Sequence, residues 1–499
     1  MRLLTIFLLL PAISFSQTIR PWTENPFYWE YKGKPILLTG GSDDDNLFQM
    51  ANLEAHLEEL HQTGANYIRN TMSDRDAGNM KAFFQQPNGK YDLDQWNNEY
   101  WTAFENLLTW CEDREIIIQI EVWDRFDHSR NPWLISAWHP DNNVNYTNAE
   151  SGLADTYPNH PGTNEQPFFK TVPDMQNNTV LMRYQNSFVE KLLSYSLQHN
   201  NVLYTMDNET QADPKWAIYW SNFIKAKAQE MGKIVQTTEM WDAWNIMSDE
   251  HKATFDHPEQ YSFVDISQNS HNSGQTNWDN IQWAREYLSG AERPLNSVKI
   301  YGADGGSYGN SADAVERFWR NLIGGMASSR FHRPTAGLGL NETAQNAIRA
   351  MRKLESLIKL WDVEPNMELL SGRSDNEAYL AAKPGELYAL YFTDGGSVDL
   401  ELSTFSGRFI LNWIDIVNGE WGDKDTLIGG TKVTVDAPGT GGWTAAVVKE
   451  EIVSVLRKPK FRIERKRNAY TVTGRKADVE VLNSKSMSRK YYYPVFMFF

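Results

Sequence analysis

The chain has 499 residues, 41% of them hydrophobic and 22% charged, so it is long enough for more than one domain and has a globular composition. Its formal net charge of −16 argues against a nucleic-acid partner, because phosphate binding needs clustered Lys and Arg. Aromatic residues make up 13% of the chain, with 19 Trp, and favour a carbohydrate ligand because sugar rings stack on flat apolar faces. Many of these aromatic side chains would also form a core.

The N-terminus, residues 1–16, has the pattern of a secretory signal peptide. Arg2 is followed by a run of Leu, Ile and Phe and then by small residues before Gln17. We therefore expect a secreted or periplasmic protein. No later segment is long and apolar enough to predict a membrane span. The single cysteine, Cys111, rules out an intrachain disulfide.

Apolar segments of strand length then alternate with amphipathic segments of helix length. Strands are predicted at residues 36–39, 66–70, 116–123, 202–206, 233–238, 263–267, 298–301 and 328–331. Helices are predicted at 53–62, 97–113, 182–198, 215–231, 279–288, 313–327 and 343–360, and a long loop at 125–173. Eight such units predict an α/β fold, a (β/α)8 TIM barrel over residues 17–365.

The sequence pattern changes after the predicted barrel. Short strands separated by Gly, Asp and Pro turns are predicted at 379–382, 387–393, 397–402, 407–416, 432–435 and 443–449. They predict a small antiparallel β-sandwich domain over residues 366–450. Residues 451–499 form a tail rich in Lys and Arg, whose structure the sequence does not define.

Polar residues follow the predicted strands, at the end where barrels of this kind carry their chemistry. The abrupt change from an apolar strand to Asp207, Asn208 and Glu209 is the clearest case. The residues at the strand ends are Asp43, Asn70, Glu121, Glu209, Glu239, His271 and Asp304. Three Asp in a row, Asp43–Asp45, follow the first strand and predict a solvated loop or a helix N-cap more than a cation site.

Several motifs together carry a family resemblance. They are YTMDNE at strand four, GANYIRNTM, VERFWRNLIGGMASSRFHRP, LWDVEPNMELL and NWIDIVNGEW. In this order they resemble the clan A retaining glycoside hydrolases, and within them the barrel-plus-β-domain group that includes the apiosidase-like glycoside hydrolase family 140. The resemblance covers roughly residues 18–449 and implies glycosidase activity.

The resemblance also implies two catalytic carboxyl groups. Glu209 matches the general acid/base at the end of strand four. Asp304 stands at the end of strand seven, where the family pattern has a nucleophilic Glu, so its side chain is one methylene shorter. Glu239 and Asp207 are the alternative second carboxylates, and loss of hydrolysis is a further alternative.

The remaining strand-end residues are assigned to substrate binding. Arg69, Asn70, Asn208 and His271 are expected to bind sugar hydroxyls, and Trp123 and Trp241 to stack on sugar rings; Glu121 and Glu239 complete the predicted site. An alternative for Arg69 is an ion pair with Glu121 inside the barrel. No metal or other cofactor is expected.

The sequence thus predicts a secreted glycosidase that acts on plant or algal cell-wall polysaccharide or its oligosaccharides, with retention of configuration and a two-carboxylate mechanism. A carbohydrate-binding protein on a decayed barrel is one alternative. A polysaccharide lyase is another, with His271 as base and Arg69 neutralising a uronate.

Overall fold

The computed structural model of the protein describes residues 18–163, 165–303 and 308–452. The predicted signal peptide, Asp304 and residues 453–499 of the basic tail lie outside the described residues. Within them, none of the helices combines the length and the apolar character needed to cross a membrane.

Eight barrel strands follow one another along the chain. They are Leu38–Gly41, Tyr67–Thr71, Ile117–Asp124, Val202–Asn208, Gln236–Thr238, Val264–Asp265, Leu295–Asn296 and Ser328–Phe331. Strands two to five pair in parallel in chain order, strand six pairs with seven, and strand eight pairs with one.

Backbone hydrogen bonds connect these sheets into a ring. Asn66 N donates to Thr39 O at 2.9 Å, Ser262 N to Thr237 O at 3.1 Å, and Ala327 N to Leu295 O at 2.9 Å. These bonds join strand one to two, five to six, and seven to eight. The predicted eight-stranded barrel is therefore confirmed.

Helices cover the outside of the barrel and connect its strands. The α-helices are α1 Leu53–Thr63, α2 Asn98–Asp113, α3 Arg130–Ile135, α4 Asn148–Ser151, α5 Thr179–Ser196, α6 Pro214–Glu230, α7 Asp249–Phe255, α8 Gly274–Tyr287, α9 Ser311–Ile323 and α10 Glu342–Leu357. Short 3-10 helices lie at Leu47–Gln49, Arg125–His128, Pro140–Asn142, Pro161–Thr163, Pro167–Lys170, Ser267–His271, Leu360–Asp362 and Met367–Leu369. Apolar side chains on one face of each long helix are buried, as in α2, where Trp101, Phe104 and Leu108 point inward.

Strand seven differs most from its prediction. It begins at Leu295, three residues before the predicted start, and the predicted segment keeps one parallel bridge, from Ile300 to Phe331. The sequence analysis missed the true start of this strand because Asn296 is polar. Its side chain points into a polar barrel interior and not into an apolar core. There Asn296 accepts a hydrogen bond from Trp29 Nε1 at 3.0 Å and donates to Tyr67 Oη at 3.0 Å.

Two smaller sheets lie outside the barrel ring. Near the N-terminus, Arg20–Pro21, Trp29–Tyr31 and Lys34–Ile36 form a three-stranded antiparallel sheet. Phe83–Gln85 and Tyr91–Trp96 form a hairpin between barrel strands two and three.

The C-terminal region contains two antiparallel sheets. The larger has the strand order Glu364–Pro365, Ala378–Lys383, Leu387–Phe392, Trp443–Lys449, Arg408–Asp415 and Glu420–Ile428. The smaller has the order Leu370–Ser371, Ser397–Glu401 and Lys432–Asp436. The predicted antiparallel region is confirmed, with Glu420–Ile428 as a strand that the sequence analysis missed.

Alternating side chains of the larger sheet serve two cores. Leu380 and Leu390 pack in a cluster that includes Val398 of the smaller sheet. Their neighbours Tyr379 and Tyr391 belong to the barrel core instead. Successive side chains on a strand point to opposite faces, so the two faces of this sheet pack into different hydrophobic clusters. The description of this region as a β-sandwich stays a prediction.

Candidate active site

Glu209 lies directly after barrel strand four, at the C-terminal edge of the barrel. Its φ of 53° is in the left-handed region and turns the chain out of the strand. Its Oε1 accepts hydrogen bonds from Lys299 Nζ at 2.7 Å, Tyr301 Oη at 3.0 Å and Gln268 Nε2 at 3.0 Å. The donors follow strands six and seven, so three strands converge on one carboxylate.

The charge around Glu209 keeps its carboxyl ionised. Burial raises the pKa of Glu209, but the Lys299 ammonium, with its hydrogen bond and the more distant Arg69, outweighs burial and lowers that pKa to about 2. An ionised carboxylate suits a nucleophile or a base. A general acid must carry a proton, so this environment does not favour the acid/base role that the resemblance implies for Glu209.

Lys299 also reaches the neighbouring amide. Its Nζ donates to Asn208 Oδ1 at 2.5 Å, while Asn208 Nδ2 donates to Asp124 Oδ2 at 3.1 Å. Asn208 therefore lies beside Glu209 as predicted, with both ends of its amide engaged by protein groups.

Arg69 is paired with acids inside the barrel. Its Nε donates to Glu121 Oε1 at 2.5 Å, and its NH1 donates to Asp45. Arg69 and Glu121 are both completely buried. The alternative role of Arg69, an ion pair with Glu121, is confirmed, and neither side chain is exposed to a ligand in this structure.

Asp45 lies inside this network. It is 2% exposed, and its Oδ2 is 3.0 Å from Arg333 Nε. Burial raises the pKa of Asp45, but Arg69, His332 and Arg333 outweigh burial and lower it. The prediction of a solvated loop is wrong for Asp45, because the guanidinium groups of Arg69 and Arg333 hold its buried carboxylate.

Asp207 and Glu239 form a second buried acidic pair. Glu239 Oε1 accepts from Asp207 N at 3.0 Å and Met240 N at 2.7 Å, and Asp207 Oδ2 lies 3.4 Å from Arg125 NH2. Burial raises the pKa of both carboxyls. Both are completely buried, so neither alternative second carboxylate is open to substrate.

Three other predicted binding residues are also buried. Trp123 is 3% exposed and packs against Phe168, Phe188 and Trp220, and Trp241 is 1% exposed. Asn70 is completely buried. The structure thus places these side chains in the core and not at a surface where a sugar ring could stack.

Trp241 and Asn70 each have an intramolecular partner. Trp241 Nε1 donates to Thr254 Oγ1 at 2.8 Å, and Asn70 Oδ1 accepts from Phe48 N at 3.2 Å. These bonds hold helix α7 and the 3-10 helix Leu47–Gln49 against the barrel, which is a structural role.

His271 does lie close to Glu209, within an aromatic group. Its ring stacks on Trp244 with centroids 4.2 Å apart and planes 13° apart, and Tyr308 meets it edge-on at 4.6 Å. Burial lowers the pKa of His271 to about 4, against an opposing contribution from Glu209, so the ring is neutral at pH 7. Trp244 is 60% exposed and presents a flat face at this edge.

The sequence analysis missed the residues that contact Glu209 directly. Lys299 and Tyr301 stand in the apolar segment SVKIY, and Gln268 follows strand six. A charged residue inside a predicted barrel strand was the available signal for Lys299, since such a side chain must find an acidic partner when it is buried. Asp304, the predicted nucleophile, lies outside the described residues.

Known protein families and curated sequences give no match to this chain. Solved structures do. A glycoside hydrolase family 5 protein from Bacteroides vulgatus has a TM-score of 0.60 at 12% identity, covering 87% of this chain and 93% of its own. This chain therefore shares the barrel fold of that protein.

Two further structures are similar. One described as a glycoside hydrolase has a TM-score of 0.58 at 12% identity, covering 87% of this chain and 98% of its own. A putative glycoside hydrolase from Bacteroides vulgatus has a TM-score of 0.55 at 10% identity, covering 88% of this chain and 83% of its own. These shares exceed the barrel alone, so the similarity extends into the C-terminal β region. The finer resemblance to family 140 stays a prediction.

Proposed function

We propose that this protein is a secreted glycosidase that cleaves plant or algal cell-wall polysaccharide or its oligosaccharides by a two-carboxylate mechanism. The observation that carries the proposal is the Glu209 carboxylate, held by three side chains at the C-terminal edge of the barrel. The glycoside hydrolase fold supports it, and residues 1–16 supply the export signal.

The surroundings of Glu209 suit a carbohydrate. Trp244 offers an exposed aromatic face that is kept in place by its stack on His271, and sugar rings bind such faces. It takes the stacking role that the sequence analysis gave to Trp123 and Trp241. Retention of configuration follows from the clan A resemblance, and NMR of the first-formed anomer tests it.

The experiment is a polysaccharide panel assayed for new reducing ends. We expect release from at least one plant or algal polymer, and a loss of at least about 100-fold in the Glu209→Gln variant with ligand binding retained. Glu230→Gln is the matched control, since Glu230 is an exposed glutamate on α6 with 66% of its side chain accessible. Undiminished release by Glu209→Gln would refute the role of Glu209.

A carbohydrate-binding protein on a decayed barrel is the second candidate. The Lys299–Glu209 ion pair favours it, because a carboxylate neutralised by a buried ammonium is a weaker nucleophile. Binding to a panel polymer without release of reducing ends would support this candidate and reject the glycosidase.

The lyase alternative loses its basic residue. It required Arg69 to neutralise a uronate, but Arg69 already contacts Glu121 and Asp45. Formation of the enol-ether absorbance on a uronic polymer would restore it.

A further inference from the structure

Asp242 follows barrel strand five, and the backbone ties it to the segment that carries Glu209. Thr210 and Trp241 form a parallel bridge. Asp242 N donates to Thr210 O at 2.9 Å, and Thr210 N donates to Met240 O at 3.0 Å. Adjacent paired strands are about 4.8 Å apart, so Asp242 and Glu209 lie at the same edge of the barrel on neighbouring strands.

The Asp242 carboxyl is held in place and half-buried. Gln211 Nε2 donates to Asp242 Oδ2 at 3.2 Å. Gly162, from the long loop after strand three, covers the same oxygen so closely that a Cβ at Gly162 would lie 2.5 Å from it. Asp242 is therefore a fixed group at this edge of the barrel, with a loop packed over one of its oxygens.

Four charged or titratable groups act on this carboxyl from the surrounding elements. They are Glu209 after strand four, Lys299 after strand seven, His160 on the long loop and Arg125 after strand three. Burial raises the pKa of Asp242 and the Glu209 carboxylate raises it further, against His160 and Lys299. The pKa of Glu209 is lowered to about 2.

The two carboxyls thus have the unlike environments that separate a general acid from an ionised partner. Glu209 has an ammonium and two neutral donors on its oxygen. Asp242 has a single amide donor on its Oδ2 among the described residues, and it is affected by the negative charge of Glu209.

We propose that Asp242 is the general acid that works with ionised Glu209, in place of the predicted pair of Glu209 and Asp304. This inference rests on the proposed glycosidase function and adds the second catalytic residue to it. Asp242 follows strand five and not strand seven, so it could not be assigned from the family pattern.

The chemistry proceeds in two balanced steps. Asp242 gives its proton to the glycosidic oxygen as the bond from that oxygen to the anomeric carbon breaks, and the bonding electrons stay on the leaving oxygen. A Glu209 oxygen forms the new bond to the anomeric carbon. Water then attacks that carbon and gives a proton to the Asp242 carboxylate, and Glu209 is released as an anion.

The test uses leaving groups that differ in their need for a proton. Its probes are the dinitrophenyl and the unsubstituted phenyl glycoside of the sugar that the wild-type protein releases from the polysaccharide panel. Asp242→Asn should lose at least about 100-fold in kcat/KM on the phenyl glycoside and keep most of its reactivity on the dinitrophenyl glycoside, because dinitrophenolate leaves without protonation. The basic limb of the pH profile should disappear.

Further variants serve as controls for this experiment. An Asn at 242 can still accept from Gln211, and circular dichroism and thermal melting check that the variant folds. Asp242→Glu keeps an acid and should recover part of the phenyl glycoside activity. Asp249→Asn, at an exposed Asp on α7, should match the wild type, and Glu209→Gln should fail on both probes.

The outcomes separate the two proposals. An active wild type with Asp242→Asn equally active, or equally impaired, on both probes overturns the role of Asp242 and leaves the glycosidase standing. The same follows if Asp304→Asn, and not Asp242→Asn, shows the leaving-group dependence. A wild type that binds polymer but releases nothing rejects the glycosidase, and the role of Asp242 is rejected with it.

Discussion

The ion pair between Lys299 and Glu209 combines stability and function at one residue contact. The two side chains are 2% and 13% exposed, so both are largely removed from water. A buried charge is costly unless it is paired, and here each group supplies the partner of the other. The pair also sets the protonation state of the carboxylate at the centre of the candidate site.

Lys299→Met is expected to destabilise the protein at pH 7 by about 3–5 kcal/mol, because it leaves Glu209 buried without its ammonium. Lys299 lowers the pKa of Glu209 to about 2, whereas the pKa of a Glu in the unfolded chain is about 4.3. Ionised Glu209 therefore stabilises the fold in full at pH values above the unfolded pKa, and this stabilisation is lost as the pH falls through about 2. Urea unfolding from pH 7 to pH 3 should show a deficit in Lys299→Met that shrinks as Glu209 becomes protonated.

The matched control is the double variant Lys299→Met with Glu209→Gln. Removing both charges should recover most of the loss at pH 7, since no uncompensated charge remains. A deficit in Lys299→Met that is constant with pH, or equal in the double variant, would show that the ion pair does not govern the protonation of Glu209.

Sequence reasoning found the carboxylate but not its neighbours. The change from an apolar strand to polar residues identified Glu209, because that signal lies within one segment. Lys299 is 90 residues away along the chain, and its contact with Glu209 depends on barrel closure. Trp123 and Trp241 stand at strand ends as predicted, yet the packing of the loop and helices around them buries both rings, which no local pattern reveals.

At the scale of elements, two glycines of barrel strand one leave no room for a side chain. A Cβ placed on Gly40 would lie 1.8 Å from the Tyr67 backbone oxygen of strand two. A Cβ on Gly41 would lie 2.2 Å from the Gly339 oxygen. Both obstacles are backbone atoms, which cannot rotate away as a side chain would.

Gly40→Ala should therefore push strands one and two apart and cost about 3 kcal/mol or more of the free energy of unfolding. Gly439→Ala is the control, since a Cβ there meets no atom within 4 Å. Denaturant titration of both variants measures the difference. If Gly40→Ala unfolds at the wild-type denaturant concentration, the close approach of the two strands does not limit this position.

The pattern of elements was predictable for a related reason. Strands such as Ile117–Asp124 and helices such as α2 carry the periodicities of a buried strand and an amphipathic helix, and a local pattern suffices to find them. The start of strand seven was predicted wrongly because the strand faces a polar interior, where Asn296 forms hydrogen bonds with Tyr67 and Trp29. Hydrophobicity cannot indicate a strand whose inward side chain is an amide.

At the scale of the whole molecule, the barrel and the C-terminal β region share a core. Tyr391 of the larger sheet stacks on Trp319 of α9 with centroids 5.5 Å apart, and Tyr379 lies 4.6 Å from Trp278 of α8. The residues that the structure describes, between 18 and 452, belong to one compact unit by their contacts. The β region therefore closes one face of the barrel core as well as its own.

A shared core predicts that the barrel and the β region unfold together. Leu390→Ala removes a completely buried side chain from the cluster between the two C-terminal sheets, at a cost of about 2–5 kcal/mol. Because Tyr391 next to it holds the sheet against the barrel, we expect calorimetry to show one transition, shifted to lower temperature as a whole. Tryptophan fluorescence should change at that same temperature.

Ile428→Ala, at a side chain that is 55% exposed in the same region, should leave the transition in place. Two separated transitions in Leu390→Ala, with the upper one at the wild-type temperature, would mean that the barrel is stable without the sheet that covers it.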